Sequence, residues 1–338
     1  MHNESTSEYL AENELLKKVL DLFPSAPTGE LWAGDDMAVF SLEVVPFGSP
    51  GKTKEPFTDG KGHVSDNHER EKYLLFASDC LVENVHFDTG FSSYEDIGYK
   101  AISVNVSDAA AMGALPYRAV VSLAAPSSRA AEQISVGIKQ ASEQYACPVV
   151  GGDLSYAKDI FISVAVIATS LGQPVLRTGA KAGDLIFVTG PLGAGYAALR
   201  YLKDNPGCQN DAALRHRRPE AKISSGLAAK EAGAKAMMDL SDGLLVDLER
   251  LAKASGVGVD LESCPCHPLA TQDDALYGGD DYELLFTATD QKRVEEKFLS
   301  YELEPPICIG KCVEDATVRL WQGEPVEMRG FQHMFETG

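Results

Sequence analysis

Lys100-Ala101-Ile102-Ser103-Val104-Asn105-Val106-Ser107-Asp108-Ala109-Ala110-Ala111-Met112-Gly113-Ala114-Leu115-Pro116 is the stretch on which the reading of this chain turns. Ile97, Ala101, Val104 and Met112 recur at helical spacing, and Asp108 falls on the same face. Ser92 and Glu95 stand where a capping box would open the helix, and Gly113 and Pro116 would close it. An unpaired carboxylate on an inward face costs several kcal/mol or takes up a proton. Asp108 therefore calls for partners elsewhere in the chain.

Working outward, those partners have a common signature. Acidic residues stand with Gly or Ser where apolar strands are expected to end: Gly34-Asp35-Asp36, Ser78-Asp79, Gly151-Gly152-Asp153, Asp239-Leu240-Ser241-Asp242-Gly243 and Gly278-Gly279-Asp280-Asp281. Strand ends are where ligands meet a sheet, and glycine lets backbone approach a phosphate. Several carboxylates brought together repel one another unless a cation lies among them, and an all-oxygen set suits Mg²⁺.

Strands are expected at 73–77, 120–125, 160–168, 184–189, 236–238, 283–288 and 318–321, and helices at 12–23, 130–145, 195–202 and 244–254. Strands and helices mix in both halves, so the fold class is α/β or α+β with two domains. Gly and Pro punctuate 171–178, which sets the expected boundary: 1–170 and 171–338. Residues 46–72 are rich in Pro, Gly, Lys, Asp and His without apolar period, and read as an exposed insertion loop.

The 338 residues include 30 Lys plus Arg against 50 Asp plus Glu, a net charge of −20 that speaks against nucleic acid and anionic membrane as partners. No apolar run is long enough to span a bilayer, and the polar, acidic start is unlike a signal peptide. With seven scattered cysteines, this points to a cytoplasmic protein with reduced thiols. Some motifs lead nowhere. Gly48-Ser49-Pro50-Gly51-Lys52-Thr53 has too few residues between its glycines for a phosphate loop. Gly190-Pro191-Leu192-Gly193-Ala194-Gly195 reads as a tight strand-to-helix turn. Cys264-Pro265-Cys266-His267 has no second pair at zinc spacing.

The acidic motifs, in this order, resemble the thiamine-monophosphate kinase family within the aminoimidazole-ribonucleotide synthetase superfamily. The resembling text is Gly34 through Val39, Ser78 through Phe87, Lys100 through Pro116, Gly151-Gly152-Asp153, Arg177 through Asp184, Asp239 through Leu244, Gly279 through Leu284 and Gly330-Phe331-Gln332-His333. The resemblance covers nearly the whole chain. It implies a two-domain synthetase-like fold whose N-terminal domain dimerises and binds ATP and Mg²⁺, while a mixed α/β C-terminal domain completes the active site. The implied reaction is ATP-dependent phosphorylation of thiamine monophosphate to thiamine diphosphate.

By the same resemblance, Asp36, Asp79, Asp108, Asp153 and Asp239 hold several Mg²⁺ ions as the catalytic acids, with Ser78 assisting and Asp242 holding a further ion. Gly152, Asp153, Arg177 and Ser241 match nucleotide contacts. His86, Asp280 and Phe331 match contacts to the thiamine phosphate. The chain departs from the family at Ala77, where a hydroxyl is usual, at Asp280, where Glu is usual, and at Leu154 and Ser155, where two Thr often stand. The rival readings are another ATP-using enzyme of the superfamily and a non-catalytic acidic scaffold for divalent ions. Within the first, the resemblance implies an N-terminal Cys for the selenium enzyme and a C-terminal Cys for the hydrogenase-maturation protein, whereas the earliest cysteine here is Cys80 and the sequence ends Phe335-Glu336-Thr337-Gly338; the synthetase lacks the pairing of Asp239 through Gly243 with Gly279 through Leu284.

Overall fold

The computed structural model describes residues 9–11, 35–41 and 72–336. The expected helix at 12–23, Gly34, the loop at 46–71 and the 48–53 motif lie outside the described residues.

The first half is built on β2 (Ala38–Ser41), β3 (Lys72–Val82), α1 (Tyr94–Ala111), β4 (Leu115–Ala125), α2 (Ser128–Gln144), β5 (Val149–Tyr156) and β6 (Phe161–Leu171). A three-residue strand, β1 (Tyr9–Ala11), precedes them. The sheet order is β2-β3-β6-β4-β5. β3 and β6 run antiparallel from Lys72 opposite Leu171 to Val82 opposite Phe161. β4 and β5 are parallel, and α2 makes the crossover that parallel pairing demands. Period two is plain in β6, where Ile162, Val164, Val166 and Ala168 are buried against the helices. α1 and α2 meet backbone to backbone. A Cβ on Gly98 would lie 2.0 Å from Ile134 O, and one on Gly137 would lie 1.8 Å from Glu95 O.

The second half follows with β7 (Leu185–Val188), α3 (Ala194–Asp204), α4 (Asp211–Arg217), α5 (Ile223–Ala232), β8 (Ala236–Asp239), α6 (Leu244–Ser255), β9 (Gly258–Leu261), α7 (Gln272–Tyr277), β10 (Leu284–Ala288), α8 (Gln291–Ser300), β11 (Ile307–Val313), β12 (Arg319–Trp321) and β13 (Glu324–Pro325). Its sheet has the order β13-β12-β9-β11-β7-β10-β8. Both faces are covered. Leu285 packs with Leu244, Leu245 and Leu248 of α6 on one side. Phe286 stacks between Phe187 and Phe298 on the other, at centroid separations of 5.2 and 6.0 Å. A last strand, β14 (Met334–Glu336), pairs antiparallel with β1.

α1 belongs to both halves. Its last turns carry Ala110 and Ala111 into the core formed with Met237 and Ala228. A Cβ on Gly226 of α5 would lie 2.0 Å from Ala110 O, so the helices touch through small residues. This contact sets Asp108 beside the end of β8.

Three expectations need correction. The cap of α1 is Ser93, whose Oγ accepts from Asp96 N–H at 3.1 Å, one register beyond the Ser92 and Glu95 pair. Both pairs obey the same spacing, and Ser93 has the extended backbone and the side-chain hydrogen bond of a cap. β3 begins at Lys72 and continues through Ser78 and Asp79 to Val82, because β6 supplies a partner along its whole length. Likewise β5 runs through Gly151, Gly152 and Asp153, paired with Val120, Val121 and Ser122 of β4.

Candidate active site

Three carboxylates converge from three elements. Asp108 projects from α1, Asp239 is the last residue of β8, and Asp36 lies in the bend before β2. Their carboxylate oxygens lie within 4.8 Å of one another, and all three groups are buried. Burial first, and then the charges of Asp79, Asp239 and Asp36, push the Asp108 carboxyl well above the ordinary range. Asp239 is raised to about 8, by burial and then by Asp36, although the Ser107 hydroxyl donates to Asp239 Oδ2 at 2.5 Å. Neighbouring Asp35 is raised to about 7, by burial and then by Asp36. Three buried acids set against one another make a site that a small divalent cation fits, because only oxygen ligands are offered and their charge is under-compensated.

Arg177 is the nearest compensation. Its Nη2 donates to Asp36 Oδ1 at 2.7 Å and its Nε to Asp36 Oδ2 at 3.2 Å, while its backbone N–H donates to Asp35 Oδ2 at 2.9 Å. A fork-to-carboxylate pair of this kind fixes both side chains. Asp242 is occupied differently. Arg250 Nη1 donates to Asp242 Oδ2 at 2.5 Å and to Asp247 Oδ1 at 2.6 Å. Asp247 is fully buried, its carboxyl raised to about 7 by burial and by Asp242, and it accepts from the N–H groups of Asp242 and Gly243.

The remaining expected residues spread over the surrounding surface. Asp79 is exposed on β3, with its N–H held by Asn105 Oδ1 of α1 at 2.9 Å, and Ser78 is exposed beside it. Asp153 is exposed on β5 and accepts from Ser155 Oγ at 2.9 Å. Gly152 sits so close to β4 that a Cβ would lie 1.8 Å from Val121 O. Among the described residues, Asp79, Asp153 and Asp242 do not enter the group of three at ligand distance. Ser241 contributes its carbonyl, which accepts from Asp280 N–H at 2.8 Å.

The third set assembles at the seam between the halves. His86 Nδ1 accepts from Val82 N–H at 3.0 Å, which leaves the ring proton on Nε2. The His86 ring lies 5.3 Å from that of His333, which meets Phe331 edge to face at 4.9 Å. Phe331 is itself half exposed, and its N–H donates to Asp242 O at 2.9 Å. Asp280 adopts φ +73°, and Gly279 before it is pressed against Ser241 O, 2.3 Å from where a Cβ would be. Lys100 Nζ donates to Asp280 Oδ2 at 2.6 Å, and His216 Nδ1 lies 2.6 Å from the same oxygen. Burial alone would raise this carboxyl, but Lys100 and His216 outweigh it and hold Asp280 well below the usual range. Tyr282, at φ +52°, is raised well above the ordinary phenol by burial and then by the charges of Asp280, Asp239 and Asp79.

Beyond Asp280 opens a cavity of about 300 Å³ lined by Asp281, Glu283, Arg215, Lys222 and Pro191 among others. Asp281 caps the start of α3, accepting from Gly193 and Gly195 N–H at 2.6 and 3.2 Å. Here the 190–195 segment is a strand-to-helix turn, with Gly193 at φ +89°. Several of these residues were given no role by sequence reasoning: Lys100, Ser107, His216, Arg250 and Tyr282. One signal was available, since Lys100 interrupts an otherwise apolar and small-residue run in α1.

Residues 57–170 match the family model of the AIR synthase related protein N-terminal domain, and 181–321 that of the C-terminal domain. The chain is 37% identical to the thiamine-monophosphate kinase of Bacillus subtilis over 233 residues, covering 63% of this chain and 72% of the relative. It is 36% identical to that of Aquifex aeolicus over 281 residues, covering 78% and 88%. Among solved structures, AaThiL complexed with AMPPCP and TMP superposes with a TM-score of 0.77 at 31% identity, over 97% of this chain and 100% of that one. The hydrogenase maturation protein HypE, at 17% identity and a TM-score of 0.61, shares the fold over 71% of this chain and 80% of its own.

Proposed function

Since the chain belongs to the thiamine-monophosphate kinase family, we propose that it transfers the γ-phosphoryl group of ATP to the phosphate of thiamine monophosphate, giving thiamine diphosphate and ADP. The observation that carries this reading is the buried group Asp36, Asp108 and Asp239, three acids suited to holding the cations that bring a triphosphate and a monophosphate together.

The acceptor is a phosphate and is already ionised at neutral pH, so no side chain has to remove a proton. The obstacle is repulsion between two anions. Asp36, Asp108 and Asp239 would hold Mg²⁺, joined by Asp79, Asp153 and Asp242 as the resemblance implies. Mg²⁺ when bound neutralises phosphate charge and favours an in-line arrangement of the two substrates. Arg177 adds a fixed positive charge at the same place. Gly152 and Ser241 supply backbone and hydroxyl toward the nucleotide. His86, Asp280 and Phe331 orient the thiamine end, so that the entropy of alignment is met on binding.

The reading extends to organisation. Residues 1–170 bind nucleotide and metal and pair with a second copy, residues 171–338 complete the site, and the enzyme works in the cytoplasm as a homodimer. Incubating the purified protein with ATP, Mg²⁺ and thiamine monophosphate, and separating the products by chromatography, tests the reaction. Thiamine diphosphate and ADP are expected in equal amounts. ADP formed without thiamine diphosphate would overturn the proposal.

A further inference from the structure

One buried cation joins two residues proposed to hold the thiamine end. Lys100 lies on α1, two turns before Asp108, and its side chain is 4% exposed. Its ammonium donates to Asp280 Oδ2 at 2.6 Å and to His86 O at 3.2 Å. His86 belongs to the segment that follows β3 in the first half. Asp280 belongs to the turn before β10 in the second.

Each partner has anchors of its own besides Lys100. Asp280 is anchored through its N–H to Ser241 O at 2.8 Å, and Gly195 packs so closely that a Cβ would lie 2.4 Å from Asp280 O. His86 is anchored through Nδ1 to Val82 N–H. The Asp280 carboxylate is aimed by Lys100 and His216, each 2.6 Å from Oδ2, and of the two only Lys100 also reaches His86.

We infer that Lys100 is a positioning residue for thiamine monophosphate: its ammonium holds His86 and Asp280, one from each half, at a single separation that matches the substrate. The inference rests on the reaction proposed above. A purely structural ion pair would stabilise the fold and leave both substrates equally well bound. A positioning pair is specific to one substrate.

The test is steady-state kinetics with each substrate varied in turn, on Lys100→Met, Asp280→Asn and the double variant, with calorimetric binding of thiamine monophosphate alongside. Lys100→Met should raise KM for thiamine monophosphate by about tenfold or more and leave KM for ATP within about threefold. In the Asp280→Asn background the same replacement should cost less, because only the His86 contact is left to lose. If Lys100→Met alone does not fold, the double variant buries no unpaired charge. Compared with Asp280→Asn it should still bind thiamine monophosphate several-fold more weakly. Equal effects on both substrates, or a change in melting temperature alone, would overturn the inference. A wild-type protein that makes no thiamine diphosphate would instead overturn the reaction on which it rests.

Discussion

Asp239→Asn should make the metal-free protein more stable while ending turnover. Asp239 is fully buried beside Asp36, and its carboxyl stands at about 8 in place of 3.8. The folded state therefore keeps a proton that the unfolded chain gives up between about 3.8 and 8. Stability from this group is greatest below the unfolded value, falls as pH rises through that window, and is level above it. At pH 7 the displacement costs on the order of 4 kcal/mol. An Asn carries no charge to desolvate, and its amide oxygen can still accept from Ser107. Allowing half of the penalty to be lost to imperfect packing, the melting temperature in EDTA should rise by about 3 °C. The assay is thermal unfolding of both proteins in EDTA and in Mg²⁺, at about pH 5 and about pH 8. Wild type should lose stability toward the higher pH in EDTA and recover it with Mg²⁺. The variant should respond weakly to both. A variant that melts below wild type in EDTA, or a wild type indifferent to Mg²⁺, would refute the reasoning.

Asp108→Asn should reduce kcat by at least about a hundredfold in a folded protein, because the proposal makes it one of three buried acids that hold the metal; near-normal turnover would contradict this. Asp280→Ala should raise KM for thiamine monophosphate far more than KM for ATP, and steady-state kinetics on each substrate decides it. Gly137→Val should destabilise the first half by about 3 kcal/mol or more, since even a Cβ would lie 1.8 Å from Glu95 O; denaturant unfolding measures it, and an unchanged midpoint would show that the helices can separate without cost.

Most of the architecture was legible because period and punctuation agree along the chain. α6 runs from Leu244 to Ser255, close to the expected 244–254, and Gly256 at φ +70° closes it as glycine does at helix ends. Asp108 announced itself as a carboxylate on an apolar face, and the structure gives it the company that its burial demands. What stayed hidden depends on pairing between distant segments. The full length of β3 is set by β6, some ninety residues on, so its continuation through Ser78 and Asp79 has no local mark. Asp153 looked like a strand-end acid, yet it lies within β5, because β4 pairs with that stretch through two glycines. Lys100 and Asp280 are separated by 180 residues, and nothing in either neighbourhood specifies the other. Ser93, not Ser92, caps α1, a one-residue difference that sequence spacing does not distinguish.

The central claim is that the acids at the seam of the two halves serve direct phosphoryl transfer between two anions. Following the label from γ-³²P ATP in a single turnover with Mg²⁺ and thiamine monophosphate tests it most directly. The account predicts that the label moves into the terminal phosphate of thiamine diphosphate, with none retained on the protein and none transferred by Asp108→Asn. Label released as inorganic phosphate, or held on the protein before it reaches product, would contradict it.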